Sequence, residues 1–167
     1  MKKRILPILA FALAVAACGE KPAEKPVAEA PTEATAETQA APATLPRTAS
    51  LDGARVFFIS PADGDTVTSP VRIEFGIEGM TVAPAGDNTP HSGHHHLLID
   101  TGLPDLALPI PADANHVHFG DGSTSTEIEL EPGQHTLQML LGDHLHIPHD
   151  PPLTSDRITI TVQSTVE

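Results

Sequence analysis

The chain has 167 residues, a formal net charge of −13 at pH 7, ten histidines and one cysteine. A chain this acidic repels phosphate backbones, so nucleic acid is excluded as a partner. With a single cysteine the chain has no intramolecular disulfide, and the folded part has no thiolate metal site.

The N-terminus carries an export signal. Three basic residues, at positions 2–4, precede an apolar run over 5–17, which is too short for a membrane-spanning helix. The run ends in "VAAC", which resembles the bacterial lipobox, where the cysteine becomes the lipid-carrying first residue of the mature protein. An ordinary cleaved signal followed by a chance cysteine is the alternative. We predict a lipoprotein signal peptide over 1–17 and a lipid anchor on Cys18.

The lipobox resemblance also implies a location. Gly19 stands where an aspartate would retain a lipoprotein in the inner membrane. We therefore expect a protein of the cell envelope, anchored in the outer membrane by membrane lipid and facing the periplasm.

The segment that follows is a linker. Residues 18–50 are dominated by Ala, Pro, Glu and Thr and contain no aromatic residue. Such a composition cannot bury enough apolar surface to offset the entropy of ordering, so we predict a disordered tether.

Residues 51–167 have the pattern of a β domain. In "VRIEFGI" (71–77) and "RITITV" (157–162), apolar and polar residues alternate with a period of two. Turn motifs such as "PADGD" and "EPGQ" separate the alternating runs. The predicted strands are 55–60, 71–77, 95–100, 126–130, 135–141 and 157–163. Short strands at this spacing predict an all-β fold, an immunoglobulin-like antiparallel Greek-key β-sandwich.

All ten histidines lie between His91 and His149. In an immunoglobulin-like sandwich three of the connections gather at one end, and nine of the histidines fall in or beside those connections. The tenth, His135, follows a Pro-Gly turn where related domains carry a tyrosine that bonds back to the backbone. We interpret His135 as a structural residue rather than a ligand.

Clustered neutral imidazoles outside the cytoplasm are typical of transition-metal sites. Because strand side chains alternate, His95 should face the core together with Leu97, while the two flanking histidines turn the other way. The candidate metal ligands are His94, His96, His118, His144, His146 and His149. Copper is the preferred ion and zinc the second, with binding expected to collapse below about pH 6 as imidazoles protonate.

Several alternatives to this interpretation stay open. The histidines can instead form a hydrophilic, proton-buffering rim. No nucleophile motif is present, so metal capture, buffering or delivery without turnover is favoured over catalysis, although three histidines and a water can make a catalytic zinc site. The other class of function is a non-enzymatic interaction module of the envelope, whose protein partner the sequence does not name.

Four motifs carry a family resemblance: "GHHHLLID", "HFGDGSTSTEIEL", "PGQHTLQMLLGD" and "HIPHDPPLTSDRITITV". Together they resemble the exported bacterial family catalogued as domain of unknown function 4399, over about residues 56–163. The resemblance implies no established activity. The histidines that match the family's motifs are His94, His95, His96, His118, His146 and His149, whereas His91, His116 and His144 are additional.

A shorter similarity concerns "HVHFGD" (116–121), which is close to a motif of copper-zinc superoxide dismutase. This chain lacks one residue within that motif, and it also lacks the paired cysteines and the zinc loop. Loss of one residue in a strand turns the following side chains to the opposite face. Dismutase activity is therefore not predicted.

Overall fold

The computed structural model describes residues 45–164. The predicted signal peptide (1–17), Cys18 and the linker up to residue 44 lie outside this range. Within it, every regular element is a strand. The described part of the chain also has no helix long and apolar enough to cross a membrane.

The described residues form nine strands. Their bounds are β1 Arg55–Ser60, β2 Thr66–Thr68, β3 Val71–Glu78, β4 Thr81–Val82, β5 Ser92–Ile99, β6 His116–His118, β7 Ser125–Ile128, β8 Gly133–Gly142 and β9 Ile158–Gln163.

The strands make two sheets. One has the order β1-β3-β7, and the other has the order β2-β9-β8-β5-β4 with β6 paired to β5. Among the pairs formed by these nine strands, only the short contacts of β2 with β9 and of β4 with β5 are parallel. The predicted strands that became β1, β3 and β7 thus share one sheet and those that became β5, β8 and β9 share the other, as in immunoglobulin-like sandwiches. The predicted β-sandwich is confirmed.

The core lies between the sheets and follows from the period-two pattern. Alternate residues of β3 (Val71, Ile73 and Phe75) are at most 1% exposed, while Arg72 between them is exposed. Strands β5, β8 and β9 contribute in the same way from the opposite sheet. The buried residues they supply are Leu97, Ile99, Leu137, Met139, Leu141, Ile158, Ile160 and Val162.

In the region of the histidines the structure differs from the prediction in one boundary and one additional strand. Strand β5 begins at Ser92 rather than at residue 95, so the histidine triplet lies inside the strand. His116 and His118 belong to a strand, β6, that pairs antiparallel with β5, whereas 116–118 is not among the predicted strands. A three-residue strand is too short to show alternation, which is why the pattern did not reveal it.

The domain also starts earlier than predicted. Ala49 forms a parallel bridge with Asp150, and the Ser50 N–H donates to the Asp150 carbonyl at 3.1 Å. Residues 47–50, assigned to the linker from their composition, therefore belong to the folded domain. Their backbone pairs with the segment around Asp150, which is distant in the sequence. The amino-acid composition of a segment does not reveal such a pairing.

His135 has the structural contacts expected of it. Its Nε2 is 2.8 Å from the Glu131 carbonyl oxygen, and its Nδ1 is 2.7 Å from a carboxylate oxygen of Asp100. Asp100 also accepts a hydrogen bond from the Thr136 N–H at 2.7 Å. His135 thus ties the start of β8 to the end of β5, away from the other histidines.

Candidate metal centre

Strand β5 is buried on both faces, and its histidines divide between them. The ring of His95 lies 4.7 Å from that of Phe75 in the sandwich core. His94 and His96 point to the opposite face of the sheet because side chains alternate along a strand. The predicted division of the triplet is confirmed. The two outward histidines are nevertheless only 0% and 1% exposed, so another part of the chain must cover them.

The neighbouring strands complete this outer face. On one side β6 places His118 directly opposite His96, so the two side chains emerge together. On the other side β8 places Gly142 opposite His94 and Leu140 opposite His96. Two strands thus supply three histidines, while the third contributes Leu140 and a residue without a side chain, Gly142.

A fourth histidine comes from the loop after β8. His146 has a positive φ of 66°, a conformation that is uncommon for residues other than glycine. Its N–H donates to the Asp143 carbonyl at 2.9 Å, closing a tight turn. This turn brings the His146 ring against the three histidines of the sheet.

The four rings are in mutual contact. The ring centre of His94 is 4.8 Å from that of His96 and 4.9 Å from those of His118 and His146. The His118 centre is 5.0 Å from His96 and 4.7 Å from His146, and the remaining pair, His96 and His146, is 6.0 Å apart. We call these four residues the four-histidine cluster.

Apolar residues cover the buried members of the cluster, His94 and His96, whereas His118 is exposed and His146 is half-buried. Ile110, in the long connection between β5 and β6, packs with Leu98 and Leu140 of the outer face. The Ile110 N–H donates to the His146 carbonyl at 2.8 Å, which fastens this connection to the loop that carries the fourth histidine.

Two glycines leave room for the rings. A Cβ added at Gly142 would lie 2.8 Å from Cε1 of His96, and one added at Gly120 would lie 2.8 Å from Nε2 of His118. Real Cβ atoms essentially never approach so closely. Any side chain at these two positions would displace a ring of the cluster.

Burial and repulsion between the rings lower the pKa of three of the four histidines. Burial lowers the pKa of His94 to about 4, and repulsion from His146 and His118 adds to the effect. Burial, with the neighbouring His94, His118 and His146 rings, lowers the pKa of His96 to about 2. The pKa of His118 is also lowered, by burial and by His146. Imidazoles with such pKa values present free lone pairs at neutral pH.

Hydrogen bonding leaves those lone pairs unused. Among the described residues neither ring nitrogen of His94 or His96 has a hydrogen-bond partner. A buried polar group without a partner costs about 1–3 kcal/mol. The ring nitrogens of His95 and His149, which lie outside the cluster, are equally without a partner, so the contacts between the four rings distinguish the cluster.

The nitrogens are close enough for one ion. One ring nitrogen from each of His94, His96 and His118 can be chosen so that all three lie within 4.8 Å of one another. These three histidines can hold a metal ion, whereas His146, whose ring touches theirs, is not part of this group of nitrogens.

Two of the predicted ligands lie outside the cluster. His149 is fully buried, but its ring packs against Gly93, on the side of β5 that His95 shares. His144 makes no ring contact with the four, and its carbonyl accepts the Gly86 N–H at 3.1 Å. His91 and His116 also lie apart; the Nδ1 of His116 is 2.8 Å from an Asp113 carboxylate oxygen.

Asp143 is a functional candidate that the sequence analysis missed. The residue is 2% exposed, and its carboxylate accepts hydrogen bonds from the N–H groups of Leu145 (2.8 Å) and Ile147 (3.0 Å). The negative charge of Asp143 also raises the pKa of His94 and so partly offsets the lowering by burial. The Gly-Asp pair ahead of "HLHIPH" is a turn motif that could have pointed to this role.

The comparison with known families concerns the same part of the chain. The family described as "Domain of unknown function (DUF4399)" matches residues 73–163. The chain belongs to this family. The DUF4399 match contains all four clustered histidines and Asp143, but not residues 47–50. No curated protein and no solved structure matches the chain.

Proposed function

We propose that the protein binds one transition-metal ion through His94, His96, His118 and His146. The observation that carries the proposal is the mutual contact of the four rings, at 4.7–6.0 Å between centres, two of them with unpaired buried nitrogens. The ion would be the partner that these nitrogens lack. Capture, buffering or delivery of the metal is the corresponding role.

The spacing of the rings supports a single four-coordinate ion. With a metal–nitrogen distance of about 2 Å, a ring centre lies about 3.2 Å from the metal, so two rings at the tetrahedral angle are about 5.2 Å apart. Five of the six observed spacings lie between 4.7 and 5.0 Å, and one is 6.0 Å. This arrangement is a tetrahedron opened along one edge.

Copper(II) is our first choice of metal. It stands above zinc in the affinity order for divalent ions, and imidazole ligands suit it. Only one pair of rings, His96 and His146, is spread to 6.0 Å, and the opposite pair, His94 and His118, stays at 4.9 Å, so the four ring centres do not flatten toward a plane. Zinc is second, because the other five spacings fit its tetrahedral preference.

The location that accompanies this function is the cell envelope, with the protein anchored by lipid on Cys18. The support is the lipobox-like sequence at the end of the apolar run. Replacing Cys18 by serine should move the protein from the membrane fraction to the soluble fraction. A wild-type protein that is already soluble after fractionation would contradict the anchor.

Calorimetric titration of the full-length protein in detergent with Cu(II) and Zn(II) tests the metal site. We expect one ion per chain with a dissociation constant below about 1 μM, since exposed histidine loops bind more weakly. His96→Ala should abolish this binding. His144→Ala is the matched control, because it removes a nearby histidine from outside the cluster, and it should leave the affinity unchanged.

Two outcomes would refute the metal function. One is the absence of stoichiometric binding by the wild-type protein. The other is an equal loss of affinity in the two variants, which would indicate non-specific binding by a histidine-rich surface. Either result would favour the envelope interaction module.

A further inference from the structure

The end of the linker lies against the loop that carries His146. The Arg47 side chain donates to the carbonyl oxygens of Pro148, at 3.0 Å, and His149. It also pairs with the Asp150 carboxylate at 3.2 Å. The Asp150 N–H in turn donates to the Thr48 carbonyl at 2.9 Å. We call residues 47–50 the strap.

The strap reaches the turn through one side chain. The Thr48 hydroxyl donates to Oδ2 of Asp143 at 2.7 Å. The other oxygen of this buried carboxylate accepts from the N–H groups of Leu145 and Ile147. The hydroxyl therefore fixes the carboxylate, and the carboxylate fixes the backbone on both sides of His146.

His146 needs such support. A residue other than glycine in the left-handed region is strained, and this conformation persists only where the surroundings hold it. Here the Asp143 carbonyl accepts the His146 N–H, and the His146 carbonyl accepts the Ile110 N–H. Without the Asp143 network the turn can relax, and the His146 ring would leave the cluster.

We infer that the strap is part of the metal centre, with Thr48 a positioning residue that acts through Asp143 on His146. The inference rests on the proposed metal function. It means that the segment joining the domain to its predicted anchor also sets the affinity of the site. The histidines alone, grafted without the strap, would form a three-ligand site.

The test compares variants of the full-length protein. Thr48→Val removes the hydroxyl but keeps the shape, and Thr48→Ser keeps the hydroxyl. Ser69→Ala is the matched control, because Ser69 also donates to a carboxylate, that of Glu129 at 2.8 Å, but belongs to a different part of the fold. We expect Thr48→Val to lower the Cu(II) affinity about tenfold, because it removes a hydrogen bond to a charged group. Thr48→Ser and Ser69→Ala should cause no loss of affinity.

A double-mutant cycle shows whether Thr48 acts through His146. In a His146→Ala background, Thr48→Val should cause no further loss of affinity. The visible absorption band of bound Cu(II) should shift in Thr48→Val in the same direction as in His146→Ala, and return in Thr48→Ser. In the metal-free protein, hydrogen exchange at the amides of Leu145 and Ile147 should become faster in Thr48→Val.

The outcomes separate this inference from the proposed function. If the wild-type protein binds and Thr48→Val binds equally well, the strap inference is wrong and the metal function stands. If the loss is the same in both backgrounds, Thr48 does not act through His146, and the inference is again wrong. Absence of binding by the wild-type protein would overturn both.

Discussion

Burial of neutral histidines should make the metal-free protein sensitive to acid. The pKa of His95 is lowered from 6.5 to about 4 by burial in the sandwich core, and the pKa values of His94 and His96 are lowered to about 4 and about 2. As the pH falls below 6.5, these histidines become protonated in the unfolded chain but stay neutral in the native protein. Stability is therefore full above about pH 6.5 and is lost progressively toward the folded pKa values.

The size of the effect follows from these pKa values. At pH 5 a histidine with an unfolded pKa of about 6.5 and a folded pKa of about 4 destabilises the native state by about 2 kcal/mol. Three such residues together cost about 6 kcal/mol, which is comparable with the whole stability of an ordinary domain, about 5–15 kcal/mol. The metal-free protein should approach unfolding near pH 5.

His95 is the residue with which to isolate this effect, because it faces Phe75 in the core and lies outside the four-histidine cluster. His95→Leu places an apolar side chain of similar size in the same site. Urea unfolding of the metal-free protein at pH 8 and pH 5 gives the loss of stability between the two conditions. This loss should be about 2 kcal/mol smaller in His95→Leu than in the wild type.

The control is His91→Asn, which removes an exposed histidine. Asparagine is the replacement because it tolerates the positive φ of 56° at this position. It should retain the full loss of stability between pH 8 and pH 5. If His95→Leu also retained the full loss, burial of His95 would not be the source of the acid sensitivity, and the reasoning would be refuted.

Three further predictions concern the metal centre. Burial and the neighbouring rings lower the pKa values of His94 and His96, so Cu(II) affinity measured by calorimetry should persist at pH 5.5. Free histidines would already lose the metal below about pH 6. A collapse of the affinity at pH 6 would contradict this prediction. Gly120→Ala should displace the His118 ring and weaken metal binding at least several-fold, while the free energy of unfolding changes little. Gly102→Ala is the control and should bind metal normally, because a Cβ added at Gly102 meets no atom within 4 Å. Metal at a free concentration of 100 times its dissociation constant should raise the unfolding free energy by about 2.7 kcal/mol, an increase that a chelator reverses and that His96→Ala should lack.

Much of the fold was predictable from local pattern. The alternation in "VRIEFGI" and "RITITV" identified β3 and β9 and the residues they bury, because side chains of a strand point to opposite faces whatever the strand packs against. The same rule separates His95 from His94 and His96 by their positions in the sequence alone.

The membership of the cluster was not predictable in this way. His146 and His149 are three residues apart and looked equivalent as ligands, yet one ring joins the cluster and the other packs beside Gly93 on the opposite side of β5. The difference arises from the left-handed backbone at His146, which depends on the buried Asp143 carboxylate. That carboxylate is fixed in turn by Thr48, 95 residues away in the sequence.

By itself, the sequence determined the sandwich, the faces of its strands and the supply of imidazoles, since each of these depends on residue type and on spacing within a few positions. Only the tertiary structure decided which imidazoles meet. Loop residues have no periodic constraint, so their side chains point where distant hydrogen bonds and packing hold them, as the strap and Ile110 hold the turn at His146.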